Sequence, residues 1–177
     1  MIFVDMDGVL VDFIGAALKL HGCDVESTLA GWPGGVFDVA EVLGISPAEF
    51  WSKIDAAGEE WWGSLSPYPW MGDLLGLVAK CDEFILATSP SRFHGSSSGK
   101  VLWMQRAFGT SWRNYMLGEH KHLFAKRGSL LIDDNEAAVR KFREHGGSAI
   151  LFPQPWNSLG GVDDPVGYVS GEMKGWS

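Results

Sequence analysis

The sequence predicts an α/β fold with a mainly parallel sheet that is covered by helices on both faces. Short apolar runs that end in turn residues alternate with segments in which apolar residues recur at helical spacing. This alternation is typical of parallel sheets, because each crossover helix returns the chain to the edge where the next strand begins. The 177 residues are 46% apolar and 20% charged, which indicates one ordinary domain with a buried core.

Four short apolar runs have the length of buried strands, and each ends at a turn or at polar residues. Parallel strands that are buried on both faces carry such continuous apolar runs. A further run at Tyr115–Leu117 is a candidate for a fifth strand. The four runs are Ile2–Val4, Phe84–Ala87, Leu130–Ile132 and Ala149–Phe152.

Helical patterns fill the intervals between these runs, at residues 74–78, 101–108 and 137–142. The stretch His94–Lys100 is similar to a phosphate-binding loop, but His94 replaces the first glycine and no Ser or Thr follows Lys100. We expect it to form a flexible loop that leads into a helix. The tail after Pro153 is rich in Gly, Pro and Trp, and we expect it to be irregular.

Residues 15–67 interrupt the alternation of strands and helices. They hold glycine-rich turns, four of the nine tryptophans and short helical stretches, one of which begins at Ser46 and Pro47 with the residues of a helix N-terminus. The prolines at 67 and 69 prevent a helix from continuing. We therefore expect a small helical cap at residues 15–67, inserted after the first strand into a core made of residues 1–14 and 68–177.

Composition and charge argue against several classes of protein. The net charge of −8 disfavours nucleic-acid binding, which depends on Lys and Arg at the phosphates. No apolar run approaches the roughly 20 residues that cross a bilayer, and the N-terminus lacks a secretory signal pattern. Cys23 and Cys81 are too few for a disulfide scaffold. We expect a cytoplasmic protein with neither nucleic-acid nor membrane partners.

Polar side chains follow three of the predicted strands, and ligands of open α/β sheets bind at those strand ends. Four carboxylates in one place repel each other, so a site that tolerates them normally holds a cation. Oxygen ligands favour a hard ion such as Mg²⁺, and an aspartate beside that ion can attack a phosphoryl group. The residues are Asp5 and Asp7 after the first run, Thr88 and Ser89 after the second, and Asp133 and Asp134 after Leu130–Ile132.

Each of these clusters also fits a purely structural role when it is taken alone. Asp and Gly are ordinary turn residues, and Asp133–Asn135 could simply cap the following helix. A calcium loop is excluded, because with Gly8 at its sixth position Phe3 and Ile14 would stand where acidic residues belong. The coincidence of three clusters at strand ends favours a joint active site.

The ordered set of motifs resembles that of the haloacid dehalogenase-like (HAD) phosphatases. The set comprises Asp5–Leu10, Thr88–Ser89, a downstream lysine and Asp133–Asp134. Finer features resemble the 5′(3′)-deoxyribonucleotidases within that superfamily, over about two-thirds of the chain. They are Val4–Phe13, Thr88–Pro90, Gly99–Trp103 leading to Phe108–Gly109, Leu130–Asp134 and Ile150–Phe152.

The resemblance implies a three-layer Rossmann-like HAD core with the cap inserted after its first strand. In the cap itself it is poor, and only Phe37 and the pair Trp61–Trp62 align. Phe13, at the mouth of the cap, and Phe37 are implied to contact substrate, although isolated aromatic residues more often pack in a core. The cap tryptophans Trp51, Trp61 and Trp62 are more easily interpreted as cap core.

The resemblance also implies a role for each polar residue. Asp5 is the expected nucleophile, and Asp7 the general acid and base. Thr88 and Ser89 would bind the phosphoryl oxygens, and Lys121 would offset their charge. Lys126 is the competing lysine, disfavoured because it lies beside Arg127 and Gly128 in a solvated turn. The implied Mg²⁺ ligands are Asp5, the backbone carbonyl of Asp7 and Asp134, with Asp133 in a supporting contact.

The expected function is Mg²⁺-dependent hydrolysis of deoxyribonucleoside monophosphates through an aspartyl-phosphate. One alternative is a phosphatase for another small phosphate such as a sugar phosphate. A second is a non-catalytic module that binds a phosphorylated ligand. The expected partner is a small-molecule phosphate ester, and the oligomeric state is left open, with a homodimer as one option.

Overall fold

The computed structural model describes residues 1–176, and its strands form one five-stranded sheet with neighbouring strands parallel. The strand order is β3-β2-β1-β4-β5, which confirms the predicted α/β class. The fifth strand expected at Tyr115–Leu117 is present at one edge. The strands are β1 (Ile2–Val4), β2 (Phe84–Thr88), β3 (Tyr115–Leu117), β4 (Leu130–Asp133) and β5 (Ser148–Leu151).

The central strand β1 pairs with β2 on one side and β4 on the other, so its residues are buried on both faces of the sheet. Ile2 and Val4 belong to the larger core, which includes apolar residues of the segment between β1 and α5. Phe3 points to the opposite face and packs with Val139 and Phe142. The apolar run ends where the sheet ends, and this brings the polar residue Asp5 to the carboxyl edge.

Residues 1–176 form eight α-helices and one short 3-10 helix; α8 follows the last strand, and the others lie between strands. The three helical patterns in the sequence lie within α5, α6 and α7. The α-helices are α1 (Phe13–Leu20), α2 (Val25–Ala30), α3 (Val39–Leu43), α4 (Pro47–Gly63), α5 (Met71–Cys81), α6 (His94–Phe108), α7 (Glu136–Glu144) and α8 (Pro165–Met173); the 3-10 helix spans Lys121–Phe124.

The expectation of a flexible loop at His94–Lys100 is wrong, since α6 begins at His94. The small residues of this stretch allow α6 to pack closely against α4. A Cβ atom on Gly99 would lie 2.4 Å from the Cβ of Trp62 and 2.5 Å from the carbonyl oxygen of Glu59. Glycine is therefore required here for a close helix contact and not for chain flexibility.

The expectation of an irregular tail after Pro153 is also wrong in part, because α8 occupies Pro165–Met173. The side chain of Asp164 accepts a hydrogen bond from the backbone N–H of Gly167 at 2.9 Å, and Pro165 occupies the first helical turn. These are strong helix-initiation features. They outweigh the low helix propensity of the glycines that follow, because Val169 and Met173 are buried in the core.

The segment between β1 and α5 folds into helices α1 to α4. As the sequence predicts, Ser46 caps α4: its Oγ accepts a hydrogen bond from the Glu49 N–H at 3.2 Å. The helix is kinked at Gly58, whose φ of +77° is not helical. The exact cap boundaries at residues 15 and 67 stay a prediction.

Within residues 1–176, no helix combines the length and the apolar character that crossing a membrane would need.

Candidate active site

The carboxyl ends of β1, β2 and β4 open into one cavity of about 490 Å³. Polar side chains from these strand ends form its floor, and aromatic side chains from the segment between β1 and α5 and from the chain after β5 also line it. The nine residues that the sequence singled out all line it: Asp5, Asp7, Phe13, Phe37, Thr88, Ser89, Lys121, Asp133 and Asp134.

Three buried carboxylates meet on the floor of the cavity. Asp5, Asp133 and Asp134 each offer one oxygen atom, and the three oxygens lie within 4.8 Å of one another. Burial raises the pKa of Asp134 well above its ordinary value, and the charges of Asp133 and Asp5 raise it further. A divalent cation would remove this penalty. Because the donors are carboxylate oxygens, the set fits a hard ion such as Mg²⁺.

The loop after β1 is shaped around the Asp134 carboxylate. Gly8 has a φ of +75°, and a Cβ atom there would lie 2.1 Å from Oδ2 of Asp134. The same Oδ2 accepts a hydrogen bond from Trp156 Nε1 at 2.6 Å, and Asn157 Nδ2 donates to the backbone carbonyl of Asp134 at 2.9 Å. Asp134 is therefore held from both sides, by the glycine turn and by the chain after β5.

Lys121 lies between two of the carboxylates. Its Nζ is 2.8 Å from Oδ1 of Asp5 and 2.6 Å from Oδ2 of Asp133. Burial alone would lower the pKa of Lys121, but the charges of Asp133 and Asp5 raise it above its ordinary value, so the ammonium form is favoured. Lys126 is exposed and lies in the turn before β4, where its carbonyl accepts a hydrogen bond from the N–H of Ser129. The structure thus brings Lys121 to the site and not Lys126.

A second lysine, Lys100 of α6, contacts two residues of the cavity floor from behind. It is fully buried, forms an ion pair with Oδ2 of Asp7 and donates a hydrogen bond to Oγ1 of Thr88 at 2.9 Å. Its Nζ also lies 5.0 Å from the centre of the Trp62 ring, in cation–π range. Burial, and secondarily Asp5, raise the pKa of Asp7, although Lys100 opposes this shift.

Sequence reasoning assigned no role to Lys100, but a signal was present. The inward-facing side of α6 includes Ser96, Gly99, Lys100, Trp103 and Met104, and this spacing is that of one helical face. A helix that begins at His94 puts Lys100 on the same face as the apolar residues Trp103 and Met104. The sequence could therefore have placed Lys100 on the buried face. The interpretation of His94–Lys100 as a loop concealed that pattern.

Aromatic rings line the same cavity as the carboxylates. The Phe13 ring stacks on Trp62 with centroids 5.3 Å apart and on Trp51 at 6.1 Å. Phe13 is buried, whereas Phe37 keeps almost half of its surface exposed at the rim. Trp62 is buried and lines the cavity, so it belongs both to the hydrophobic core and to the pocket wall. Trp51 also lines the cavity but is 38% exposed, so the expectation that it packs in a core is wrong.

Solved structures that superpose on this chain include hydrolases of the HAD type. A haloacid dehalogenase-like family hydrolase from Xanthomonas campestris superposes with a TM-score of 0.57 at 13% identity, over 98% of this chain and 89% of that chain. A HAD family hydrolase from Deinococcus radiodurans R1 with bound phosphate and sodium gives 0.52 at 16% identity, over 84% and 78%. A haloacid dehalogenase-like hydrolase from Streptococcus pneumoniae gives 0.52 at 16% identity, over 94% and 89%.

These similarities establish the Rossmann-like HAD core. A comparison with curated proteins returned no match. The family described as "5′ nucleotidase, deoxy (Pyrimidine), cytosolic type C protein" matches residues 1–160, which include all five strands and every residue that lines the cavity. The chain therefore belongs to this nucleotidase family and is a phosphatase of the HAD type, a phosphoric monoester hydrolase similar to the 5′-nucleotidases.

Proposed function

We propose that the protein is a Mg²⁺-dependent phosphomonoesterase that hydrolyses deoxyribonucleoside monophosphates to nucleoside and phosphate. One observation carries the proposal: the carboxylate floor and the aromatic wall belong to the same cavity of about 490 Å³. A cavity of this size lies within the range of small-molecule sites. The floor provides groups for phosphoryl transfer, and the wall provides flat surfaces for a base and a sugar.

In this proposal Asp5 attacks the phosphorus in line with the ester oxygen, forming an aspartyl-phosphate as the ester P–O bond breaks. Two donors orient its carboxylate: the Met6 N–H bonds to Oδ1 at 2.7 Å and Lys121 Nζ lies 2.8 Å from the same oxygen. A carboxylate that is fixed in this way attacks without first losing rotational freedom.

Asp7 transfers the proton in both half-reactions. It protonates the leaving alcohol when the ester bond breaks, and then removes a proton from the water that hydrolyses the aspartyl-phosphate. Two features of the structure suit this role. The raised pKa of Asp7 favours the protonated form that the first step needs. Its Oδ1 has no hydrogen-bond partner among residues 1–176, whereas Oδ2 is held by Lys100.

The remaining polar residues stabilise charge. Thr88 and Ser89 would donate hydrogen bonds to the phosphoryl oxygens, and the Lys121 ammonium would offset their negative charge. Asp5, the Asp7 backbone carbonyl and Asp134 would hold Mg²⁺, with Asp133 in support. Bound Mg²⁺ would supply electrostatic stabilisation of the transferring phosphoryl group.

The substrate class is supported by the aromatic wall. Phe13, Trp51 and Trp62 present stacked rings in the cavity, and flat apolar surfaces favour stacking with a base. Phe37 would close the rim.

We also propose a cytoplasmic location, supported by the family's description as a cytosolic type and by the two free cysteines, Cys23 and Cys81.

A substrate panel tests the proposal. Phosphate release would be measured with deoxyribonucleotides, ribonucleotides and sugar phosphates, each with Mg²⁺ or with EDTA. We expect deoxyribonucleoside monophosphates to have the highest kcat/KM, with release abolished by EDTA and by Asp5→Asn. Asp73→Asn, at an exposed position on α5, is the matched control. Faster release from sugar phosphates would contradict the substrate class, and ligand binding without release from any ester would contradict catalysis.

A further inference from the structure

Three histidine side chains meet on the protein surface, outside the active-site cavity. His120 and His122 flank Lys121 at the 3-10 helix, and His145 directly follows α7. The ring centroids of His120 and His122 are 5.6 Å apart, and those of His122 and His145 are 4.6 Å apart. We refer to these three residues as the histidine cluster. Packing of α7 against the 3-10 helix creates it, because His145 is distant from the other two in sequence.

The spacing of the rings matches that of imidazoles that share one metal ion. Zinc binds imidazole nitrogen at about 2.0–2.1 Å, so two rings on a tetrahedral ion have centroids roughly 5 Å apart. The two observed distances lie on either side of this value. His120 is exposed, so its ring can turn toward the other two without disturbing the core.

The surroundings of His145 prepare one nitrogen to bind a metal. Its Nδ1 lies 2.8 Å from the backbone carbonyl oxygen of Lys141. A carbonyl only accepts hydrogen bonds, so this contact places the proton on Nδ1 and leaves the Nε2 lone pair free. Metal-binding histidines in proteins commonly have such a second hydrogen bond, which fixes the tautomer and orients the ring.

His122, at the centre of the cluster, is biased toward the neutral form that binds metals. Partial burial and the charges of Lys141, His145 and His120 lower its pKa. The ammonium of Lys141 is the nearby cation that opposes metal binding. Its long flexible side chain can move away from a bound ion at small cost.

We propose that the histidine cluster is a second metal site, which binds a transition-metal dication such as Zn²⁺. Imidazole ligands favour Zn²⁺, Cu²⁺ and Ni²⁺, whereas the carboxylates of Asp5, Asp133 and Asp134 favour Mg²⁺. The two sites therefore differ in ligand chemistry as well as in location. Because His120 and His122 flank Lys121, an ion bound here would tie the segment that carries this lysine to the end of α7.

Isothermal titration of Zn²⁺ into the tag-free protein, with millimolar Mg²⁺ present to occupy the carboxylates, tests the proposal. We expect one Zn²⁺ equivalent in the wild type. His145→Ala should lower the affinity for Zn²⁺ by roughly tenfold or more, since even loss of a residue behind a ligand has an effect of this size. The double variant His122→Ala/His145→Ala should abolish Zn²⁺ binding. His94→Ala, which removes an exposed histidine at the start of α6, should bind as the wild type does.

The Asp134→Asn variant separates the two sites. Its Zn²⁺ equivalent should remain, because the histidine cluster does not include Asp134. Thermal unfolding of each variant without metal shows whether it is folded, and the Zn²⁺-dependent rise in Tm should disappear only with the histidines. The proposal is overturned if the folded double histidine variant binds Zn²⁺ like the wild type, or if Asp134→Asn removes the equivalent.

Discussion

Replacement of Gly8 by alanine would test whether the loop after β1 holds the Asp134 carboxylate in place. Gly8 has a φ of +75°, and an added Cβ would lie 2.1 Å from Oδ2 and 2.6 Å from Cγ of Asp134. The methyl group cannot fit unless this carboxylate moves. Such a movement would also break the hydrogen bond that Oδ2 accepts from Trp156 Nε1.

The structure gives two contributions to the cost of Gly8→Ala. The left-handed backbone costs an alanine about 1–2 kcal/mol, and the overlap with a buried side chain adds about 1–3 kcal/mol. We expect the free energy of unfolding to fall by about 2–5 kcal/mol in total. Gly128 has a φ of +79° and nothing within 4 Å of an added Cβ. Gly128→Ala therefore isolates the backbone contribution, and its cost should not exceed about 2 kcal/mol.

Urea unfolding in EDTA would measure both variants, and the Mg²⁺ concentration for half-maximal phosphatase activity would be measured in parallel. Gly8→Ala should raise that concentration by about tenfold or more, as expected when a ligand is displaced, whereas Gly128→Ala should leave it unchanged. If the two variants lose equal stability and require the same Mg²⁺ concentration, the loop does not hold Asp134 and the reasoning is wrong.

Three further predictions concern the lysines and the acidic cluster. Lys121→Met should lower kcat by at least about 10²-fold, as loss of one charge-stabilising donor does, whereas Lys126→Met should leave it within about twofold; the reverse result would favour Lys126. Lys100→Met should cost about 3–5 kcal/mol in urea unfolding, because it leaves the Asp7 carboxylate without its partner; Lys100→Arg, which keeps the charge, should lose less, and equal losses would contradict the ion-pair explanation. The Tm of the metal-free protein should fall as the pH rises from about 4 to 7, because burial raises the pKa of Asp134 and the folded state then binds more protons than the unfolded state; Asp134→Asn should flatten that profile in EDTA, and an unchanged profile would assign the pH dependence to other groups.

The strand ends could be predicted from sequence because their signals are local. An apolar run such as Ile2–Val4 ends where the sheet ends, and parallel pairing then places Asp5 beside Asp134 without further information. Helix initiation at Ser46 is also local, since the side chain caps an N–H only three residues away. The nine proposed site residues line one cavity, and their individual roles stay predictions that the variants above test.

The features that sequence reasoning missed depend on contacts between distant segments. The same glycines and serines form flexible loops in some proteins and close helix contacts in others. Here Gly99 lies within α6, and α4 packs so close that a Cβ atom on Gly99 would lie 2.4 Å from the Cβ of Trp62. Lys100 follows from that packing, since the buried face of α6 brings it to Asp7. His145 reaches His122 only because α7 packs on the 3-10 helix.

By itself, the sequence determined the fold class, the family resemblance and the residues at the strand ends, because hydrophobic periodicity and turn chemistry act over a few residues. The tertiary structure decided which lysine enters the site, that a second buried lysine holds Asp7, and that Trp51 and Trp62 line the pocket. These outcomes depend on how helices pack across the sheet. Packing sums many weak contacts between residues that are distant in sequence, so no local pattern contains it.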